Sequence, residues 1–256
     1  MRPQSLEEAW ELNQKKRNRV VAGMMWLKMG THSFNTAIDL CDLGLDAIEE
    51  TEDEFRIGAM ATLRQMEKHP GLGVYSCGAV EDALRDIVGV QFRNDATLGG
   101  SLWRRMGFSD VVAIFLAMDS SVELFKGGVV PLEEFVRMPY DNDILVRLIV
   151  KKRPGSFAYQ AVRKQRTDLP TLNCAAAKVG EEYRVVVGSR PARAMLLRDE
   201  RGILADGITE ESAAAFADYA AGAVPVSGNM WGSAEYRRAL VPVLVRRALL
   251  ALGEVR

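Results

Sequence analysis

The sequence predicts an α+β fold. Three observations carry that expectation. Stretches with helical spacing of apolar residues, such as Val80 to Val90, interleave with short alternating runs, such as Phe55, Ile57 and Ala59. Val122–Phe125 and Gly128–Leu132 read as a hairpin joined at Lys126-Gly127. A charged break from Lys151 to Gly155, containing Pro154, separates a longer first part from a shorter second part.

The totals narrow the function classes. A chain of 256 residues with 48% apolar residues holds one large domain or two small ones. A net charge of −1 argues against a nucleic-acid surface. Cys41, Cys77 and Cys174 are scattered, so neither a disulfide framework, a zinc site nor an iron–sulfur cluster is expected. His32 and His69 have no partner at ligand spacing. The N-terminus does not read as a signal peptide, and no apolar run is long enough for membrane insertion. These features predict a soluble, cytoplasmic protein.

The elements follow in order. Ser5 is a candidate N-cap with Glu8 as its capping-box partner, and Lys15, Lys16 and Arg17 fall near the end of that helix. Arg19–Gly23 reads as a short strand, and Glu49 to Glu54 as an acidic turn. Phe55 to Leu63 contains a half-buried strand, and Thr62 opens a short helix stopped by Pro70 and Gly71. From Val80 to Val90 one helix places Ala83, Leu84, Ile87 and Val88 on one face. Asp110 opens an apolar segment that runs to Asp119. Tyr183–Gly188 reads as a strand and Glu210–Gly222 as an alanine-rich helix, with a last apolar stretch at Leu240–Leu252.

The stretch Thr97-Leu98-Gly99-Gly100-Ser101 stands out. Two glycines between hydroxyls can bring backbone amides and side-chain donors to an anionic ligand, the glycines using φ > 0. Taken alone, the five residues read first as an ordinary Gly-Gly turn. The wider stretch Phe92-Arg93-Asn94-Asp95-Ala96-Thr97-Leu98-Gly99-Gly100-Ser101 changes that. It resembles the Arg-Asn-x-Ala-Thr-Ile-Gly-Gly-Asn segment of the FAD-binding subunit of molybdenum hydroxylases, the xanthine dehydrogenase and carbon monoxide dehydrogenase family. Further matches cover nearly the whole chain: Ile38-Asp39-Leu40, Phe55-Arg56-Ile57-Gly58-Ala59, Asp143 to Val150, Gly188 to Ala194, and Ser233-Ala234-Glu235-Tyr236-Arg237-Arg238.

The resemblance implies a two-lobed FAD-binding domain at residues 1–152 and a smaller C-terminal α+β domain at 153–256, with FAD between the first two lobes. It implies cofactor contacts at Ala22, Gly23, Met24, Met25, Trp26 and Leu27, where the family carries Ala-Gly-Gly-Thr-Asp-Leu. It adds Gly58, Ala59, Thr97, Gly99, Gly100, Ser101, Asp110 and Leu145. Three of these have an alternative: Gly58 as a close-packing strand glycine, Asp110 as a helix N-terminal acid, Leu145 as a core leucine. For Tyr236 and Arg237 packing is the preferred reading.

The main departure is that Met24, Met25 and Trp26 replace glycine, hydroxyl and acid. A non-glycine residue at φ > 0 is strained, so this loop either keeps its backbone cradle under strain or has lost the ligand. No nucleophile–base pair is visible. The resemblance implies FAD as cofactor, and a molybdenum-cofactor subunit and a 2Fe-2S subunit as partners. NAD or another acceptor would take the electrons. The alternatives are an FAD-free assembly subunit and a self-contained flavin reductase of the cell-wall amino-sugar type, against which the Ser233–Arg238 ending argues.

Overall fold

The computed structural model describes residues 1–31 and 33–254; His32 lies outside them. The chain opens with helix α1 (Leu6–Asn13) and two strands, β1 (Asn18–Val21) and β2 (Thr36–Asp39). The Ser5 hydroxyl caps α1 by accepting the Glu8 N–H at 3.1 Å. The Glu8 carboxylate answers one residue further out, accepting from the Gln4 N–H at 2.7 Å. Strands β1 and β2 pair in parallel, which requires a crossover between them. The Ala22–Leu27 segment lies in that crossover. Ala9, Ile38, Leu40, Leu45, Ile144 and Val146 form the small core under this lobe.

A second, five-stranded antiparallel sheet follows. Its first two strands are β3 (Ile48–Glu50) and β4 (Glu54–Gly58). Six helices come next: α2 (Leu63–Lys68), α3 (Pro70–Tyr75), α4 (Ala79–Leu84), α5 (Val90–Asp95), α6 (Leu98–Trp103) and α7 (Asp110–Ala117). The sheet is completed by β5 (Ser121–Leu124), β6 (Gly128–Pro131) and, after the short helix α8 (Leu132–Phe135), β7 (Leu145–Lys151). The strand order is β3-β4-β7-β5-β6. The third sheet is a meander of β8 (Gly155–Val162), β9 (Leu172–Val179), β10 (Glu182–Gly188) and β11 (Met195–Arg198). Helices α9 (Glu210–Ala223) and α10 (Ala234–Glu254) pack together, with α10 against β8 and β9. Among the described residues no helix is long and apolar enough to cross a membrane.

Helix α7 is the pivot of this arrangement. Every residue from Asp110 to Ala117 is buried. A helix apolar on all sides must be covered on all sides. It lies against β9 and β10, and its residues share one core with β4, β5, β7 and β8.

Several local expectations change. Val80–Val90 is not one helix: α4 ends at Leu84 and α5 begins only at Val90. The chain breaks after Leu84, Val88 turns left-handed at φ 51° and is exposed, and Gly89 starts α5 in an extended conformation. A buried ion pair holds the break: Arg93 donates to Glu67 through Nε at 2.7 Å and to the Ile87 carbonyl through Nη1 at 3.1 Å. The break frees that carbonyl, and Arg93 satisfies it. Pro70 does not simply stop a helix; it sits at the first position of α3, where its missing N–H costs nothing. His69 caps that helix, its Nδ1 accepting the Leu72 N–H. Glu49 and Glu50 belong to β3, opposite Arg56 and Phe55, so only residues 51–53 turn. Strands β8, β9 and β11 have no counterpart in the sequence reading.

Arg93 and Glu67 are both almost completely buried, their side chains 5% and 4% exposed. Burial pushes the Glu67 carboxyl up, but bonds from Arg93 and Arg64 outweigh it and hold the group below the usual carboxylate range. Removing Arg93 leaves Glu67 buried with Arg64, at 2.7 Å, as its remaining cation and strands the Ile87 carbonyl, at a cost toward the lower end of the about 3–5 kcal/mol of a broken buried pair. Arg93→Ala is expected to lose stability of that order in urea unfolding. A loss of only a few tenths would show that the pair does not hold the α4–α5 break.

Candidate cofactor-binding site

The two glycine-bearing stretches, seventy residues apart in sequence, meet in space. A Cβ added to Gly23 would lie 1.8 Å from the Asp95 carbonyl oxygen at the end of α5. Only glycine lets the first loop approach the chain that leads into Thr97. The backbone amides of Gly23, Met24, Met25 and Trp26 donate to no acceptor among the described residues. Gly23 and Met25 are half-buried and Met24 and Trp26 exposed, and four consecutive free donors can receive an anion. Met24 takes φ 58°, the left-handed conformation that glycine adopts freely. The strain costs about 1–2 kcal/mol. Met24 thus holds the backbone conformation that glycine adopts freely.

The side chains of this loop divide. Met24 and Trp26 are exposed, at 37% and 44%. Met25 packs against the main core. The Trp26 ring lies 5.7 Å from that of Phe108, and Leu27 begins a single turn of 3-10 helix ending at Met29.

The second stretch differs from expectation. Gly99 and Gly100 lie inside α6 and neither has positive φ. Thr97 is the N-cap: its Oγ1 accepts the Gly100 N–H at 3.2 Å, and its carbonyl accepts from Ser101 N at 3.1 Å and Ser101 Oγ at 2.9 Å. Gly99 N donates to the Ala59 carbonyl at 2.7 Å. These amides are used within the fold. The glycine at 99 serves close approach instead, since a Cβ there would lie 2.8 Å from the Ala59 oxygen and 2.9 Å from its Cβ. Gly100 is exposed, and a Cβ there would lie 3.3 Å from Thr97 Oγ1.

Gly58 also packs against backbone. A Cβ at 58 would lie 2.1 Å from the Leu45 carbonyl oxygen, and Gly58 N donates to Ala47 O at 2.9 Å. Ala59 follows it, buried beneath Gly99. Leu145 is buried in the main core, next to a bulge in the β5–β7 ladder.

Asp110 sits at the first turn of α7, fully enclosed. Its Oδ1 accepts from the Tyr159 hydroxyl and from Asn173 Nδ2, the latter at 3.0 Å. Its Oδ2 pairs with Arg163 at 3.0 Å. Burial pushes the carboxyl above its ordinary value, against the pull of Arg163 and the hydrogen bonds. Burial, then the Asp110 charge, pushes the Tyr159 hydroxyl well up. Tyr159 and Asn173 did not stand out in the sequence as partners of this acid; the signal is their inward register on β8 and β9. Tyr236 is exposed, whereas Arg237 is buried and bonded to backbone carbonyls.

Comparison with known proteins matches this geometry to a family. Residues 1–152 match the model described as the FAD binding domain in molybdopterin dehydrogenase. The chain belongs to that family. Residues 157–252 match the CO dehydrogenase flavoprotein C-terminal domain. The medium subunit of nicotine 6-hydroxylase from Paenarthrobacter nicotinovorans is 26% identical, over 98% of this chain and 95% of that protein. The uncharacterized protein YgfM of Escherichia coli K12 is 25% identical, over 95% and 92%. Carbon monoxide dehydrogenase from Hydrogenophaga pseudoflava shares the fold with a TM-score of 0.86 at 24% identity, covering 98% and 96%. Quinoline 2-oxidoreductase from Pseudomonas putida 86 does so at 0.87 and 20%, covering 99% and 95%. The cofactor of the molybdopterin dehydrogenase FAD-binding family is FAD.

The Asp110 cluster yields a ranked expectation. Asp110→Ala strands the nearly buried Arg163 cation and is expected to cost about 3–5 kcal/mol. Tyr159→Phe removes one bond to a charged acceptor and is expected to cost about 1.5–3 kcal/mol. Urea unfolding of both variants tests this. Equal losses would show that the ion pair is not the dominant member of the cluster.

Proposed function

We propose that this chain is the FAD-bearing electron-transfer subunit of a multi-subunit molybdenum hydroxylase. It would receive electrons from a 2Fe-2S subunit, which takes them from a molybdenum-cofactor subunit, and deliver them to NAD or another acceptor. The observation that carries the reading is the set of four unpaired amides at Gly23–Trp26, held against α5 by a glycine that admits no side chain. The family match over residues 1–152 and the medium-subunit relative support it.

In this reading the chain divides at residues 152/153. Ala22 to Leu27 hold the pyrophosphate through backbone amides. Thr97, Gly99, Gly100 and Ser101 form the facing wall, with Gly58 and Ala59 behind it, Gly99 keeping that wall close to β4. Asp110 and Leu145 support the wall from the core side rather than reaching out from it. When bound, FAD supplies the exchange of electrons between carriers, and the chain supplies position and electrostatics. No residue is assigned a proton-transfer role. Substrate oxidation belongs to a partner, so the isolated chain is expected to show no turnover of purines or aldehydes.

An FAD-free assembly subunit is the second reading, favoured by the loss of glycine and hydroxyl at Met24 and Met25. The left-handed Met24 beside four free amides supports the first, because strain of this kind clusters at ligand sites.

Titration with FAD, followed by flavin fluorescence, separates them. The wild type is expected to bind saturably. Gly23→Val pushes the loop off Asp95 and is expected to weaken binding by at least about tenfold, the loss of one charge-assisted bond. Met24→Gly removes the strain and is expected to bind equally or more tightly. Wild-type protein that stays free of flavin after incubation with excess FAD would establish the assembly reading instead.

A further inference from the structure

A cavity of about 240 Å³ lies between the α6–α7 connection and the loops at one end of the third sheet. Phe108, Leu169, Pro191 and Trp231 supply apolar and aromatic walls, and Ser189 and Arg237 supply the polar ones. We propose that this cavity binds a small planar aromatic acid, its carboxylate directed to Arg237 and Ser189.

Size sets the first limit. An apolar cavity of roughly 150 Å³ accommodates benzene, and drug-sized ligands need about 300 Å³ or more. A volume between these suits one or two fused rings.

Charge sets the second. Arg237 is 1% exposed. Its Nε donates to Thr171 O at 2.8 Å, Nη1 to Ser227 O at 2.8 Å and to Gly232 O at 2.6 Å, and Nη2 to Asn229 Oδ1 at 2.6 Å. All four acceptors are neutral. A guanidinium carries five N–H groups, so one on Nη2 is left over among the described contacts. Burial without a carboxylate partner pulls the guanidinium below its ordinary value. A buried cation lacking a counter-charge is costly, and a ligand carboxylate would supply one.

Ser189 adds an independent observation. It is 4% exposed and its hydroxyl has no partner among the described residues. It holds a left-handed φ of 59° while its N–H donates to Gly107 O at 2.6 Å. Gly107 in turn admits no side chain, because a Cβ would lie 1.8 Å from Ala192 O. Two loops are thus pressed together around an unpaired donor in a strained conformation, a combination that gathers at ligand sites.

The inference does not rest on the electron-transfer reading, and its test can be run on flavin-free and flavin-loaded full-length protein. Tryptophan fluorescence and thermal unfolding report on titration with benzoate and 2-naphthoate, with neutral 2-naphthalenemethanol as comparison. Saturable quenching and a raised Tm are expected for the acids, with binding about tenfold weaker or less for the alcohol. Arg237→Lys is expected to weaken acid binding but also loosens four structural bonds. Leu169→Trp therefore serves as the deciding variant: it fills the cavity, leaves Arg237 untouched, and is expected to abolish binding. Four results would each overturn the proposal. They are no saturable binding up to millimolar acid, alcohol binding as tight as acid, wild-type binding by Leu169→Trp, and loss of acid binding once FAD is loaded, which would give the cavity to the flavin.

Discussion

The structure depends on how α7 is held. At its N-terminal end the Asp110 carboxylate is taken by Tyr159, Arg163 and Asn173 of the third sheet and its flank. At its C-terminal end Arg184 of β10 donates to the carbonyls of Leu116 and Ala117 at 3.1 and 3.2 Å and pairs with Asp119. An acid at one end and a cation at the other both complement the helix dipole. Charge therefore fixes the direction and height of a helix whose sides are uniformly apolar and would otherwise slide. The last two sheets share this helix, so the chain segment from α6 to α7 is positioned by both.

That segment links the two regions with ligand-binding character. Phe108 touches Trp26 of the first loop and also lines the cavity closed by Ser189 and Arg237. Glycines bring the loops together at each place: Gly23 on Asp95, Gly99 on Ala59, Gly107 on Ala192. In all three the missing side chain matters because another backbone occupies its place. The conformational freedom usually credited to glycine is needed instead at Met24, which has none to spare.

This reverses the weight of the two loops. A Gly-Gly pair between hydroxyls suggests amides turned toward phosphate, yet those amides cap α6 and bond to Ala59. The loop that looks degraded, Met-Met-Trp, has the unpaired amides. An amide cradle places demands on φ and ψ rather than on side-chain chemistry, and Met24 meets them with φ 58°.

The sequence by itself determined the family, the α+β class, the FAD cofactor, most strands and the Ser5 cap. Those properties rest on local signals: alternation at Phe55–Ile57–Ala59, a hydroxyl at Ser5 and Thr62, and a long colinear motif match. Tertiary structure decided the rest. The helix break at Val88 exists because Arg93 pairs with Glu67 and collects the Ile87 carbonyl, a contact across twenty-six residues. The place of Asp110 exists because Tyr159 and Asn173 stand on neighbouring strands that pair forty-nine and sixty-three residues later. Which amides remain free could not be read from glycine spacing, since it depends on which carbonyls the folded chain brings near them.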